Sequence, residues 1–140
     1  MTTVFTEGVF DLLHANHLRL LSEARAMGTR LIVGVTPDED AIAYKRRPIL
    51  TLPERMDHVR ATGMADLVVE CPTMFGAHLS ADFLDRHGIG LVVYGGTGWE
   101  DFYRVPIARG IFRRVPYHAG ISTSMILARI AERGEGDSKH

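Results

Sequence analysis

Two histidines three residues apart, His14 and His17, lie where a segment containing a glycine turns into a predicted helix. The segment, residues 7–17, reads EGVFDLLHANH. Gly8 allows the backbone to approach a ligand closely, and the first turn of the following helix offers unpaired N–H groups and the positive end of its dipole. Imidazole groups at this spacing lie on one side of a helix and can donate hydrogen bonds to phosphate oxygens. The pattern therefore predicts a phosphate site.

Two other interpretations of the histidine pair remain open from spacing alone. The pair could ligate zinc, although zinc takes three or four protein ligands and no third histidine, cysteine or acid lies at a typical ligand spacing. Alternatively, one histidine belongs to the core and the other to the surface.

A second segment with phosphate-binding character, GISTS, spans residues 120–124. Gly120 permits a turn, and Ser122 or Thr123 can cap the helix that follows. The N–H and hydroxyl groups at such a helix start can face the oxygens of a phosphate chain. An ordinary helix cap would give the same pattern without any ligand.

Short apolar or β-branched runs alternate with helical patterns along the chain. The predicted strands begin near residues 2, 30, 65, 89 and 112, and the predicted helices span residues 17–27, 53–61, 77–87 and 122–133. This alternation predicts a single Rossmann-like α/β domain, residues 1–133, with a five-stranded parallel sheet flanked by helices. Ligands of such sheets bind beyond the carboxyl ends of the strands, which is where the histidine segment lies. Residues 134–140 are expected to form a polar tail or the start of a linker.

Composition excludes several classes of protein. The chain has 140 residues, 46% of them hydrophobic, which suits one core, and its formal net charge of −1 provides no general basic field for a nucleic acid. The single cysteine, Cys71, cannot form an intramolecular disulfide and is expected to be a buried residue at a strand end. No apolar run approaches the roughly 18 residues of a membrane span, and Met1 leads straight into a strand pattern. These features favour a cytoplasmic protein without a membrane partner.

Taken together, the motifs resemble those of the HxGH-type cytidylyltransferase family. GVFDLLHANH is similar to the family's G-T-F-D-L-L-H-x-G-H, and YHAGISTSMI, from Tyr117, is similar to R-T-x-G-I-S-T-T. PERMDHV, from Pro53, resembles the family's Y-E-x-R, and GTGW, from Gly96, stands where the family has G-D-D-W. The resemblance covers nearly the whole chain, and in size and layout the chain is similar to the glycerol-3-phosphate cytidylyltransferases.

This resemblance implies transfer of CMP from CTP to a small phosphate or phosphonate, with release of pyrophosphate. It implies catalytic roles for His14, His17 and Lys45, the last in a basic loop, KRR, that would otherwise be a solvated charge run. The implied nucleotide-binding residues are Gly8, Val9, Phe10, Asp11, Arg55, Gly96, Trp99, Gly120, Ile121, Ser122 and Thr123, and the implied acceptor-binding residues are Asn16, Tyr117 and His118. Mg²⁺ is expected with CTP, and Asp11 is expected either to anchor its loop or to help hold this ion.

Several departures from the family pattern bear on the acceptor. Asn16 replaces the glycine between the histidines, Thr97 and Gly98 replace the two aspartates, and Tyr117 replaces an arginine. A second arginine expected near the end of the second predicted helix falls at Gly63. Because a guanidinium fork has no equivalent in these side chains, the acceptor is expected to differ from glycerol 3-phosphate. The best candidate from the sequence is a phosphonate, 2-hydroxyethylphosphonate.

Other interpretations remain open for function and assembly. The acceptor could be glycerol 3-phosphate, choline phosphate or ethanolamine phosphate, or the chain could be an inactive nucleotide-binding regulatory module. A homodimer is expected by resemblance, and fusion to another catalytic domain is a further expectation suggested by the polar tail.

Overall fold

A parallel sheet of five strands forms the centre of the structure, a computed structural model that describes residues 1–44, 46–72, 78–116 and 120–136. The strands are β1 (Thr3–Gly8), β2 (Arg30–Val35), β3 (Leu67–Glu70), β4 (Ile89–Gly95) and β5 (Phe112–Val115). Their order across the sheet is β3-β2-β1-β4-β5, and every neighbouring pair is parallel. The predicted fold class is confirmed.

Helices α1 to α5 lie between the strands, and α6 follows β5. Their ranges are α1 (Ala15–Ala26), α2 (Asp38–Tyr44), α3 (Leu52–Ala61), α4 (Ala81–Arg86), α5 (Arg104–Ala108) and α6 (Thr123–Gly136). The prediction for α1 differs from the structure by two residues at its start and one at its end, and that for α3 differs by one residue at its start and agrees at its end. The prediction for α4 began at Ala77, which lies outside the described residues, whereas the helix begins after Ser80, whose side chain accepts from the Phe83 N–H at 3.0 Å. Within the described ranges, no helix combines the length and apolar character needed to cross a membrane.

Two short helices, α2 and α5, were not predicted. With seven and five residues, they are too short to display a helical period of apolar residues. Three acids in the first turn of α2 favour a helix start through the dipole, but such a signal is weak by itself. At the other end of the chain, α6 continues to Gly136, three residues beyond the predicted domain boundary.

Hydrophobic residues fill both faces of the sheet, because alternate side chains of a strand point to opposite faces. In β1, Val4 packs with residues of α1 and α3, whereas Phe5 packs with residues of α4 on the other face. Both side chains are completely buried. Cys71, directly after β3, is 2% exposed and belongs to the Phe5 cluster, which confirms its predicted place at a strand end.

Gly28 connects α1 to β2 where the chain passes close to β1. A Cβ at this position would lie 2.5 Å from the backbone oxygen of Thr2 and 2.6 Å from Cγ2 of Val4. The Thr2 backbone, directly before β1, therefore leaves no room for a side chain at this position.

We predict that Gly28→Ala lowers the free energy of unfolding by about 1–3 kcal/mol, because backbone atoms of Thr2 cannot move away cheaply. Urea unfolding followed by circular dichroism measures this change. The matched control is Gly134→Ala, where a Cβ meets nothing within 4 Å, and which should be neutral or stabilise α6 by up to about 1 kcal/mol. A Gly28→Ala protein as stable as the parent would contradict the steric explanation.

Candidate active site

A cavity of about 530 Å³ opens at the carboxyl ends of the neighbouring strands β1 and β4. The strand order reverses here, since β2 and β3 lie on one side of β1 while β4 and β5 lie on the other. Open parallel sheets bind ligands at this kind of switch point. The wall is formed by the end of β1 with the loop that follows, α1, α2, the basic loop, the end of β4 with the loop that follows, the end of β5 and the start of α6.

Most of the residues predicted from the sequence lie on this wall. They are Gly8, Val9, Phe10, Asp11, His14, Asn16, His17, Trp99, Ser122 and Thr123. Gly96 and Ile121 adjoin wall residues along the chain, and Gly120 lies two residues before the wall residue Ser122. Lys45, Tyr117 and His118 lie outside the described residues, so their predicted roles stay predictions.

The two imidazole rings are stacked on each other at the start of α1. Their centroids are 3.8 Å apart with an interplanar angle of 20°. The backbone N–H of His14 donates to Nδ1 of His17 at 3.3 Å, so the neutral His17 ring carries its proton on Nε2. Partial burial lowers the pKa of His14 from its ordinary value of 6.5. The lowered pKa favours the neutral form of His14, which reduces repulsion between the two stacked rings.

The loop that carries the histidines has an unusual backbone. Phe10 and Leu12 have φ angles of 53° and 52°, in the left-handed region that side chains other than glycine rarely adopt. Phe10 is 1% exposed, and its ring meets the His17 ring edge-on with centroids 5.5 Å apart. Such backbone persists only where surrounding contacts hold it, and it occurs frequently at functional sites.

Hydrogen bonds connect this loop directly to the start of α6. The Thr123 hydroxyl donates to the backbone oxygen of Asp11 at 2.8 Å, and Nδ2 of Asn16 donates to the backbone oxygen of Ile121 at 2.6 Å. The Ser122 hydroxyl accepts from the Met125 N–H at 3.2 Å, so it caps α6 as the sequence indicated. The two predicted phosphate-binding segments, about a hundred residues apart in the chain, therefore lie side by side on one cavity.

Asp11 anchors the loop between α2 and α3. Its two carboxylate oxygens accept from the N–H groups of Ile49 and Leu50 at 2.8 and 3.0 Å, and the residue is 3% exposed. Of the two roles expected for Asp11, these contacts account for the anchor.

In the same region Arg46 lies on the cavity wall and donates to the Ser124 hydroxyl at 3.1 Å, so a cation reaches the start of α6.

Arg55 holds the site together from inside the protein. The sequence suggested direct phosphate binding, but the side chain is completely buried and donates to the backbone oxygens of Val9 and Thr36, each at 2.8 Å. It also donates to the Leu50 oxygen at 3.1 Å and forms an ion pair with Asp38. A surface arginine would have been free for phosphate, whereas this guanidinium gives three hydrogen bonds to backbone oxygens of the loops around the cavity and one to Asp38. These contacts hold those loops in position.

A buried carboxylate on the cavity wall was missed by the sequence analysis. Glu7 is 4% exposed, accepts from the Thr36 hydroxyl at 3.3 Å and accepts a short hydrogen bond from the hydroxyl of Tyr103. Burial, followed by the negative charge of Glu7, raises the pKa of Tyr94 to about 12. The same two causes raise the pKa of Tyr103 well above its ordinary value. The available signal was the position of Glu7, directly before Gly8 at a strand's carboxyl end.

Tyr94 and Trp99 complete the wall beside Glu7. The indole of Trp99 can only donate, so the hydrogen bond between the two side chains runs from the indole N–H to the Tyr94 hydroxyl. The cavity therefore has two chemically different parts. One contains imidazoles, Arg46 and two helix starts, and the other contains a carboxylate with aromatic side chains.

The buried hydrogen bonds of Arg55 give a testable prediction. Arg55→Lys should lower the free energy of unfolding by about 2–4 kcal/mol without any nucleotide present, because a lysine cannot reach the same set of buried carbonyl oxygens. Arg60→Lys is the matched control on the same helix, where the exposed pair with Asp57 contributes at most about 1 kcal/mol. Equal unfolding midpoints for Arg55→Lys and the parent protein would contradict this role.

The histidine geometry gives a second prediction. In NMR titrations of the free protein, the His14 ring should titrate below 6.5, because burial disfavours its charged form. Saturating CTP should move the midpoint upward, since negative phosphate oxygens favour the protonated ring. His14→Gln identifies the resonance. A midpoint that does not respond to CTP would show that His14 does not face the phosphates.

Comparison with known proteins agrees with the site geometry. A model of the family described as cytidylyltransferase-like matches residues 5–129. The ethanolamine-phosphate cytidylyltransferase of Arabidopsis thaliana is 34% identical over 148 residues, covering 97% of this chain and 34% of that protein. Human choline-phosphate cytidylyltransferase A is 34% identical over 134 residues, covering 91% of this chain and 36% of that protein.

The chain spans about a third of the length of these curated relatives. Among solved structures, the lipopolysaccharide core biosynthesis protein from Thermoplasma volcanium has the same fold, with a TM-score of 0.65 and 20% identity over 87% of this chain and 99% of that one. The family match covers most of the chain, including both segments that meet at the cavity. By this match, the chain belongs to the cytidylyltransferase-like family.

Proposed function

We propose that this chain transfers CMP from CTP to a short phosphate monoester that carries an ammonium group, with release of pyrophosphate. The observation that supports this proposal best is the cavity in which two N–H-rich loops meet beside a buried carboxylate. Family membership supports the transfer reaction, and the chemical division of the cavity supports the acceptor class.

In the proposed reaction an oxygen of the acceptor phosphate attacks the α-phosphorus of CTP. The new bond joins that oxygen to the α-phosphorus, and the bond to the β-phosphate oxygen breaks, so that pyrophosphate leaves with its electron pair. A phosphate monoester is largely ionised at pH 7, so the attack needs no general base. The protein's task is to hold two anions in line and to stabilise charge on the phosphoryl oxygens.

The residues in the part of the cavity that would receive the triphosphate have separate tasks in this proposal. The ring N–H groups of His14 and His17 donate to oxygens around the α-phosphate, and the N–H groups at the start of α6 receive the β- and γ-phosphates. Arg46 adds positive charge at the same end of the cavity. Lys45 is proposed to join it from the adjoining loop, as the family resemblance implies.

Magnesium is proposed to enter as part of the MgCTP substrate. Both carboxylate oxygens of Asp11 already accept backbone N–H groups, and those of Glu7 accept the hydroxyls of Thr36 and Tyr103. The carboxylates of the described cavity wall are therefore occupied by protein donors. Triphosphate oxygens and water are the ligands that suit Mg²⁺ in such a setting.

The buried Glu7 supports an ammonium-bearing acceptor. A carboxylate that two hydroxyl donors hold in place on the cavity wall suits an ammonium group, because opposite charges attract strongly where water is excluded. The rings of Tyr94 and Trp99 beside it add favourable faces for a cation. The names of the relatives, which act on ethanolamine phosphate or choline phosphate, agree with this acceptor class.

The phosphonate suggested by the sequence, 2-hydroxyethylphosphonate, remains a second candidate. It is favoured by the replacement of a family arginine by Tyr117. It carries no positive charge, so it would not add a charge interaction with the carboxylate of Glu7. The compound 2-aminoethylphosphonate has both a phosphonate and an ammonium group and therefore separates the two requirements.

The test is a pyrophosphate-release assay with MgCTP and a panel of acceptors. We expect higher kcat/KM for ethanolamine phosphate, choline phosphate or 2-aminoethylphosphonate than for 2-hydroxyethylphosphonate or glycerol 3-phosphate. His17→Ala should reduce turnover by about 10²–10³-fold while the protein stays folded. Fastest turnover on an acceptor without an ammonium group would contradict the acceptor class, and absence of turnover with every acceptor would favour the nucleotide-binding module.

The role of Glu7 is tested separately by Glu7→Gln, which keeps the shape of the side chain and removes its charge. For ammonium-bearing acceptors kcat/KM should fall by about tenfold to a hundredfold, because a charge-assisted interaction is lost. For 2-hydroxyethylphosphonate the change should be no more than about threefold, on the scale of a neutral hydrogen bond. An equal loss for all acceptors would show that Glu7 does not select the ammonium group.

A further inference from the structure

The loop after β4, residues 96–100, carries Trp99 on a backbone that is unfavourable by itself. Gly98 has a φ of 78°, and Trp99 has a φ of 63°, a left-handed conformation that is rare for a bulky aromatic residue. Even so, the Trp99 indole lies on the cavity wall and binds the Tyr94 hydroxyl. Thr97 and Gly98 stand where the resembling family has two aspartates, so neither of these two positions supplies a carboxylate that could organise the loop locally. Other contacts must hold this loop.

One guanidinium supplies these contacts. Arg114, in β5, donates through Nη1 to the Gly96 oxygen at 3.0 Å and through Nη2 to the Gly98 oxygen at 2.7 Å. The same group lies 3.5 Å from a carboxylate oxygen of Glu100. Its two terminal nitrogens therefore bind the carbonyl groups on both sides of Thr97, directly before Trp99.

Aromatic rings fix the guanidinium in turn. Its central carbon lies 5.1 Å from the centroid of the Phe112 ring and 6.0 Å from that of Tyr94. The Arg114 side chain is only 32% exposed, so its hydrogen bonds are partly shielded from water. A planar fork that stacks on rings and reaches two carbonyl oxygens is a property of arginine that lysine lacks.

We propose that Arg114 is a positioning residue that holds Trp99 on the cavity wall and so sets the fit of the acceptor. Only the kinetic part of this proposal rests on the function proposed above. In structural terms, Arg114 provides from β5 the organisation that this glycine-containing loop does not provide for itself. It acts through backbone oxygens of the loop and not on the phosphates.

Trp99 is the single tryptophan of the chain, so its fluorescence reports on this loop without any substrate. The variants are Arg114→Met, which removes the donors, and Arg114→Lys, which keeps the charge and the aliphatic stem. Arg113→Met and Arg113→Lys are the matched controls, because Arg113 is the exposed neighbour on the same strand. We expect acrylamide quenching of Trp99 to increase in both Arg114 variants and to stay at the parent value in both controls. Circular dichroism verifies folding, and Arg114→Lys decides the question if Arg114→Met does not fold.

The kinetic part uses the best acceptor from the panel. Arg114→Lys should raise the acceptor KM about tenfold, the scale expected for a loosened charged hydrogen bond, and should change kcat less. Unchanged quenching in a folded Arg114 variant would overturn the positioning role. Increased quenching with an unchanged acceptor KM would overturn the link to the acceptor. If the parent protein transfers CMP to no acceptor, the proposed function fails, while the fluorescence comparison still decides whether Arg114 holds the loop.

Discussion

The loop between β1 and α1 depends on buried hydrogen bonds from distant parts of the chain. Its left-handed residues, Phe10 and Leu12, cannot hold this conformation through local preference. Arg55 supports the loop through the Val9 oxygen, and Thr123 supports it through the Asp11 oxygen. Removing such a partner leaves a buried carbonyl group without a hydrogen bond, which is costly in the protein interior. The position of the histidines is therefore a property of the whole domain.

This arrangement explains how one small domain can prepare a site for several negative charges. The starts of α1 and α6 lie next to each other, so two sets of helix N–H groups face the same space. The stacked histidine rings add donors, the lowered pKa of His14 favours its neutral form, and Arg46 supplies a fixed charge. On the other side, Glu7 is kept by Tyr103 and Thr36 in a place that suits a cation. A substrate with an anionic and a cationic end matches both parts of the cavity.

The sequence predicted those features that follow from strand topology. Because parallel strands place their carboxyl ends at one edge, the segment after β1 and the segment before α6 could be expected to meet, and they do. The burial of Arg55 could not be predicted, since an arginine within a helical pattern usually faces solvent. The contact between Glu7 and Tyr103, 96 residues apart, likewise has no local signature. Arg114 lacked a signature for the same reason, because its partners are backbone oxygens of another loop.

The central claim is that the histidine loop and the start of α6 bind one triphosphate together. Backbone hydrogen exchange, measured by mass spectrometry while MgCTP is titrated, tests this claim most directly. The account predicts that exchange slows in both residues 14–18 and residues 122–126, with the same dependence on MgCTP concentration. Slower exchange in only one of these segments, or two different midpoints, would contradict it.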